Sequence, residues 1–419
     1  MQDHTFAATH HAAHPMNGAD AARILFVIGQ LERGGTENHL ATIAPPLAAR
    51  GWRPTVCSLF AGGPLERTLQ EKGVQVFSLP PSRTGNGTRN VVARAVRAGR
   101  AASLLLRTIK QQRPTIVHFF LPASYIVGAP VAAIARVPIR LMSRRSLNRY
   151  QSTRPMSTMA ERVMHRGMSA ILGNSRAVLD DLMREGVPRE RLGLIYNGLD
   201  TTRFAGSHSG TRAQLGLAPD AVVLGVVANL IRYKGHQDLL EALARASEGL
   251  PNNWRLLIIG RDDGIGDDLR RSAATLGIGK HVVFLGARND VPELLRASDI
   301  GLLCSHQEGF ANAILEGMAA SLPMIVTDAG GNKEAVLDGA TGLVVPVRDP
   351  VRLSEAILRL AGDAELRTRL GKAGRRRVEE HFTLEACVAR YEALYRALLA
   401  GRAPQDVPGV GLTCAASPD

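Results

Sequence analysis

Aromatic side chains are scarce in this chain, at 4% of 419 residues, and only four cysteines occur. Cys57, Cys304, Cys387 and Cys414 are scattered without a C-x-x-C pair, which argues for a reducing compartment and against a structural zinc site. No apolar run approaches the roughly 20 residues that a spanning helix requires. The opening MQDHTFAATHHAAHPMNGAD lacks the basic-then-apolar order of a secretory signal. Residues 1–22 are expected to be a disordered leader, and its histidines have no folded partners with which to hold a metal. Carboxylates are missing from one long window: between Glu71 and Glu161 there is none, against fifteen Lys and Arg. With a formal net charge of +13, the first half is strongly basic, a surface that would meet nucleic acid, anionic lipid or an acidic substrate. Sparse aromatics and the lack of a recognisable RNA or DNA module argue against nucleic acid. The expected location is the cytoplasm, with peripheral attachment to the inner face of the cytoplasmic membrane.

What is present describes a globular α/β protein: 45% apolar residues, 42 glycines and 22 prolines. A chain of this length exceeds one ordinary core, so two domains are expected. RILFVIG (23–29) reads as a buried strand, and TVCSLF, VQVFSL, TIVHFF, IRLMS, AILGNS and RLGLIYNG follow it with helical patterns between. After a polar stretch the alternation restarts at VVLGVVAN (222–229) and runs through WRLLIIG, HVVFLG, DIGLLC, PMIVTD and GLVVPV. Strands alternating with helices predict doubly wound parallel sheets, hence two facing Rossmann-like domains with a cleft between them. The expected boundaries are 23–200 and 221–383 for the domains and 201–220 for a linker. A final helix is expected over 384–401 and a disordered tail over 402–419.

Three loops follow strands and precede helices. ERGGTE (32–37) carries Gly34 and Gly35, where backbone N–H groups can approach a phosphate without Cβ obstruction. VANLIRYKG carries Asn229, then Arg232 and Lys234, two cations placed to neutralise a diphosphate; DAGGNKE (328–334) repeats the paired glycines. Each alone also fits an ordinary turn. EGFANAILEG (308–317) puts two carboxylates about one helix N-terminus, with Asn312 as the expected cap. Glu308 would lie outside the helix and Glu316 about 6 Å up its axis. A helix end attracts anions, so a ligand with a negative centre and a hydroxyl-rich group at each end fits, as a nucleotide sugar would. On this segment alone, one Glu as a cap and the other solvated fits equally. The pairs Asp262-Asp263 and Asp267-Asp268 are expected in surface turns and a helix start.

Taken together, ERGGTE, IYNGLD (195–200), VANLIRYKGH (227–236), LIIGRDDG (257–264), 284–319 and 323–346 resemble the group 1 glycosyltransferases, retaining glycosyltransferase family 4 of the GT-B fold. The resemblance covers about 23–400, and the Glu, seven residues, Glu signature with the downstream Gly-Gly is its most specific part. It implies that Glu308 bonds donor-sugar hydroxyls beside the backbone of Gly309, Phe310 and Ala311, with Asn312 and Leu315 in the same segment. Glu316 would take the ribose hydroxyls, Lys234 the diphosphate, and Gly35 would approach it from the first domain. Two positions depart from the family. Asn229 stands where an Arg is common, with Arg232 as a substitute, and His118-Phe119-Phe120 keeps only the first histidine of a His-x-His pair. His118 is carried as a catalytic candidate. The implied reaction moves a sugar from a nucleotide diphosphate sugar to a glycan or lipid-linked acceptor, without a metal or other cofactor. A small soluble acceptor, a nucleotide-sugar epimerase or a sugar phosphorylase are the alternatives.

Overall fold

The computed structural model describes residues 22–60, 62–79, 91–147, 155–206 and 210–412. Residues 1–21 of the expected leader and those beyond Leu412 lie outside that range. Two all-parallel sheets form, as the continuous apolar strands require: buried on both faces, they must be covered by crossover helices. The first holds β1 (Arg23–Ile28), β2 (Arg53–Ser58), β3 (Gln75–Ser78), β4 (Ile116–Phe120), β5 (Ile139–Arg144), β6 (Ala170–Gly173) and β7 (Leu192–Leu194) in the order β3-β2-β1-β4-β5-β6-β7. The second holds β8 (Val223–Val227), β9 (Arg255–Ile259), β10 (Val282–Gly286), β11 (Ile300–Leu303), β12 (Met324–Thr327) and β13 (Gly342–Val345) in the order β10-β9-β8-β11-β12-β13. The fold is therefore the GT-B arrangement of two Rossmann-like α/β domains. In each sheet the order reverses beside its first strand, between β1 and β4 and between β8 and β11, and there the strand ends open a crevice.

Expectations change for the linker and for the tail. The segment expected as a linker packs on the second domain: Phe204 and Leu217 are buried in its cores, and Arg212 pairs with Asp299 at 2.7 Å. Helix Leu384–Leu399 crosses back and buries Cys387, Val388, Tyr391, Leu394 and Tyr395 in the first-domain core. Residues 402–412 of the expected tail are ordered, because Val407 and Val410 are apolar enough to join the same core and the Val410 carbonyl accepts from the Leu194 N–H. The two chain crossings lie side by side, tied by Leu199 N–H to Phe382 O and Leu384 N–H to Leu199 O, both 2.9 Å. Cys57, Cys304 and Cys387 are buried free thiols, and burial raises the pKa of each. Among the described residues no helix is long and apolar enough to cross a membrane.

Val410→Ala should lower unfolding free energy by about 1.5 kcal/mol, the transfer term for two buried methyl-sized groups. Urea unfolding checks this, and an unchanged midpoint would mean the segment contributes nothing to the core.

Candidate active site in the interdomain cleft

The loops after β8 and β11 are neighbours because their strands pair. Lys234 ends a short 3-10 turn, Arg232–Lys234, and its Nζ stands 2.6 Å from Glu308 Oε1. Several contacts hold the two loops together. The His306 N–H donates to the Tyr233 carbonyl at 2.7 Å, and His306 Nε2 pairs with Asp238 at 2.7 Å. Gly235, at φ +71, lies so close to the Cys304 carbonyl that a Cβ would collide with it. Lys234 and Glu308 thus form a largely shielded, pre-positioned pair at the crevice.

Helix Asn312–Ala319 begins just beyond. Its cap is Ala311, which offers no side-chain acceptor, so the expectation of Asn312 as cap is corrected. Asn312 is the first helical residue, and its Oδ1 accepts from Asn197 of the first domain at 2.5 Å. Glu316 is half-buried on this helix, and its carboxylate has no hydrogen-bond partner among the described residues. Burial raises its carboxyl pKa, opposed by Arg203. The Phe310 and Leu315 side chains belong to the second-domain core, leaving backbone groups as what they offer a ligand. Gly309 lies against the Arg145 carbonyl, where a Cβ would clash, so only glycine lets the two domains approach this closely.

Other candidates fall elsewhere. Arg232 points out to solvent, its side chain 86% exposed and 3.9 Å from Asp268, and does not join the Lys234–Glu308 pair. Asn229 is a brace: its Oδ1 accepts from the Arg261 N–H at 3.1 Å and its carbonyl from His236. Gly34 and Gly35 do open the helix after β1, and a Cβ at Gly35 would meet nothing. His118 is corrected outright as a catalytic candidate. It is fully buried within β4, with Nδ1 at 2.8 Å from the Tyr395 hydroxyl and Nε2 at 2.7 Å from the Ser143 hydroxyl. Burial, helped by Arg145, pushes its pKa down to about 3. Asp262 closes a turn by accepting from Gly264, Ile265 and Gly266, and Asp267 and Asp268 start a helix, as expected.

The sequence reading missed the first-domain wall of the cleft. Arg145, one residue past β5, donates to Asn197 Oδ1, while Asn197 Nδ2 donates to the Phe310 carbonyl at 2.9 Å. Glu334 contacts the first domain from the second. Asn197 and Glu334 stood inside quoted motifs, IYNGLD and DAGGNKE, but nothing local showed what they would face.

Two parallel-sheet α/β domains, with a charged pair and glycine loops at strand ends, define the GT-B class. Profiles described as Glycosyltransferase Family 4 and Glycosyl transferases group 1 match residues 33–203 and 209–377. The chain belongs to this glycosyltransferase family. It is 30% identical over 209 residues to N-acetyl-alpha-D-glucosaminyl L-malate synthase of Bacillus anthracis, covering 50% of this chain and 54% of that protein. To the lipopolysaccharide core biosynthesis glycosyltransferase LpsE of Rhizobium meliloti it is 30% identical over 226 residues, covering 54% of this chain and 64% of that one. These matches span less than two thirds of either relative. The crystal structure of Anabaena HepE with UDP-glucose superposes with a TM-score of 0.78 at 23% identity, covering 90% of this chain and 99% of that one.

His118 sets a pH dependence. Its native pKa lies far below its unfolded value of about 6.5, so as pH falls from there toward 3 the unfolded chain gains a proton that the native state refuses. Stability then falls by about 1.4 kcal/mol per pH unit for this one group. His39, also held low by burial, adds in the same direction. His118→Gln should flatten the slope of unfolding free energy between pH 5.5 and pH 4 by about one proton; an unchanged slope would contradict the core assignment.

Proposed function

We propose that this protein is a retaining glycosyltransferase that moves a sugar from a nucleotide diphosphate sugar to an acceptor hydroxyl, in assembly of a cell-surface glycan or glycolipid. The observation that carries the reading is the Lys234–Glu308 pair beside an uncapped helix N-terminus, with the partnerless Glu316 carboxylate on the same helix. A diphosphate arriving there would meet Lys234 and the helix N–H groups, which also stabilise the charge growing on the leaving group. Glu308, released from Lys234, would accept from sugar hydroxyls, and Glu316 from the ribose. Lys234 and the helix dipole supply the neutralisation in this proposal, which invokes no metal. The structures bound to UDP and UDP-glucose among its fold relatives make UDP-sugars the first donors to try.

The acceptor is proposed to be lipid-linked, reached from the cytoplasmic face of an anionic membrane. Helices Val91–Gln112, Pro122–Ile134 and Pro155–His165 pack in sequence along one side of the first domain. They expose Val96, Ile134 and Met159, at 57%, 78% and 65%, beside exposed Arg100, Arg107 and Lys110. Val96, Arg100 and Arg107 line a surface cavity of about 550 Å³. Apolar side chains set among cations suit an anionic leaflet, each cation adding about 1 kcal/mol.

Thermal shift with UDP-, GDP- and ADP-sugars identifies the donor; a ligand at 100 times its Kd stabilises by about 2.7 kcal/mol. With that donor, Glu308→Gln should lower kcat/KM about a hundredfold, and Lys234→Ala should weaken both donor affinity and kcat. Equal kcat/KM in Glu308→Gln and wild type would sink the assignment, and the anomer of the product, read by NMR, tests retention. Sedimentation with phosphatidylglycerol vesicles should rise with anionic lipid and fall with salt, and Arg100→Glu with Arg107→Glu should weaken it. Protein that stays in the supernatant at low salt would favour a soluble acceptor.

A further inference from the structure

Glu334 reaches across the cleft. It stands on the short helix Asn332–Ala335 of the second domain, yet its carboxylate accepts from the N–H groups of Arg176 at 2.8 Å and Ala177 at 3.1 Å, and from the Tyr196 hydroxyl at 2.9 Å. Arg176 and Ala177 open helix Arg176–Arg184 of the first domain, whose own cap, Ser175, bonds only the third N–H, that of Val178, at 3.2 Å. The first N–H groups of a helix have no partner within it, and a carboxylate there also faces the positive end of the helix dipole. The second domain completes this cap.

The carboxylate is held from behind. Arg377 Nε donates to the Ala335 carbonyl at 2.9 Å and Nη2 to the Glu334 carbonyl at 2.8 Å, and its guanidinium lies 5.5 Å from the Phe382 ring. The Tyr196 ring packs on Phe310 and Phe382, with centroids 5.0 and 5.4 Å away. In front, the Gly331 N–H donates to the Gly309 carbonyl at 3.0 Å. A Cβ at Gly331 would stand 2.6 Å from Ser175 Cβ. Helix Asn332–Ala335 and the Glu308–Gly309 loop are therefore one block, and Glu334 is its hydrogen-bonded tie to the helix at Arg176. Burial raises the Glu334 carboxyl pKa, and the donors from Arg176, Ala177 and Tyr196 oppose that shift.

We infer that Glu334 is an interdomain positioning residue: by capping the Arg176 helix from the opposite domain it holds the cleft closed and sets the Glu308 loop against the first domain. The catalytic consequence rests on the glycosyl-transfer reading above; the closure itself does not. When the cleft opens, the carboxylate and both N–H groups return to water, so the tie is releasable in a way that a buried apolar contact is not.

Hydrogen–deuterium exchange on the full chain, without ligand, tests the closure. In Glu334→Ala, amides of residues 175–179 and 305–312 should exchange about tenfold faster, while helix His236–Ala246 is unchanged. Glu334→Gln, which keeps one acceptor oxygen, should fall between. Unchanged exchange in both segments overturns the inference, and so does a uniform rise across both domains, which would make Glu334 a general stability residue. The kinetic arm uses UDP and UDP-glucose. Glu334→Ala should leave the UDP Kd within about twofold while UDP-glucose turnover falls about tenfold or more, because the donor loop is displaced without losing its donor contacts. Equal turnover, or a loss of UDP affinity matching the loss of turnover, overturns the positioning role. If wild type binds no nucleotide, the donor reading fails while the exchange result still decides the closure.

Discussion

Lys234 and Glu308 meet because β8 and β11 are paired at the place where the strand order of the second sheet reverses. A parallel sheet points every strand's carboxyl end the same way, and the reversal sends the two following chain segments to opposite faces, leaving a crevice between them. The charged pair sits in that crevice, with the helix at Asn312 aimed at it. Residues far apart in the chain become a site through this one topological constraint. The constraint also explains why Phe310 and Leu315 are core while their neighbours Glu308 and Glu316 are not: one side of the segment must close the sheet and the other is free for chemistry.

The two domains are built differently inside and between. Apolar clusters cover both faces of each sheet, whereas the cleft wall is made of amides, carboxylates and backbone groups: Asn197 on Phe310 and Asn312, Arg145 on Asn197, Glu334 on the Arg176 helix, and Arg33 on Asn289 at 2.5 Å. Polar contacts of this kind exchange readily with water, so their net worth is small, about 0.5–1.5 kcal/mol each. The crossings at Leu199 and Leu384 are bonded to each other and provide a common axis for the domains. Such an interface suits a cleft that must admit a ligand and then exclude solvent.

The carboxylate-free window behaves as two populations. Arg144, inside it, is buried and takes its partners from outside the window, Glu161 at 2.7 Å and Glu185, with His165 and Tyr125 extending the network. A buried guanidinium without such partners would be strongly unfavourable, so this cluster fixes the end of β5 and the start of the chain toward Arg145. Arg100, Arg107 and Lys110 remain in solvent on the outer helix. Counting charges along the chain does not separate the two populations; only burial does.

The sequence by itself determined the strand–helix alternation, hence both parallel sheets and the GT-B class, because continuous apolar runs with glycine loops have few other ways to bury themselves. It also located the Lys234, Glu308 and Glu316 segments, since those lie in loops and a helix start whose chemistry is local. Tertiary structure decided the rest. His118 read as a strand-end candidate, but Tyr395, which takes up its Nδ1, arrives on a helix 277 residues later. Asn312 read as a helix cap until Asn197 of the other domain claimed its oxygen. Glu334 read as part of a glycine loop, and its partners, Arg176 and Ala177, lie across the cleft. In each case the deciding partner is remote in sequence, and spacing along a chain carries no information about which distant surface a folded domain will present.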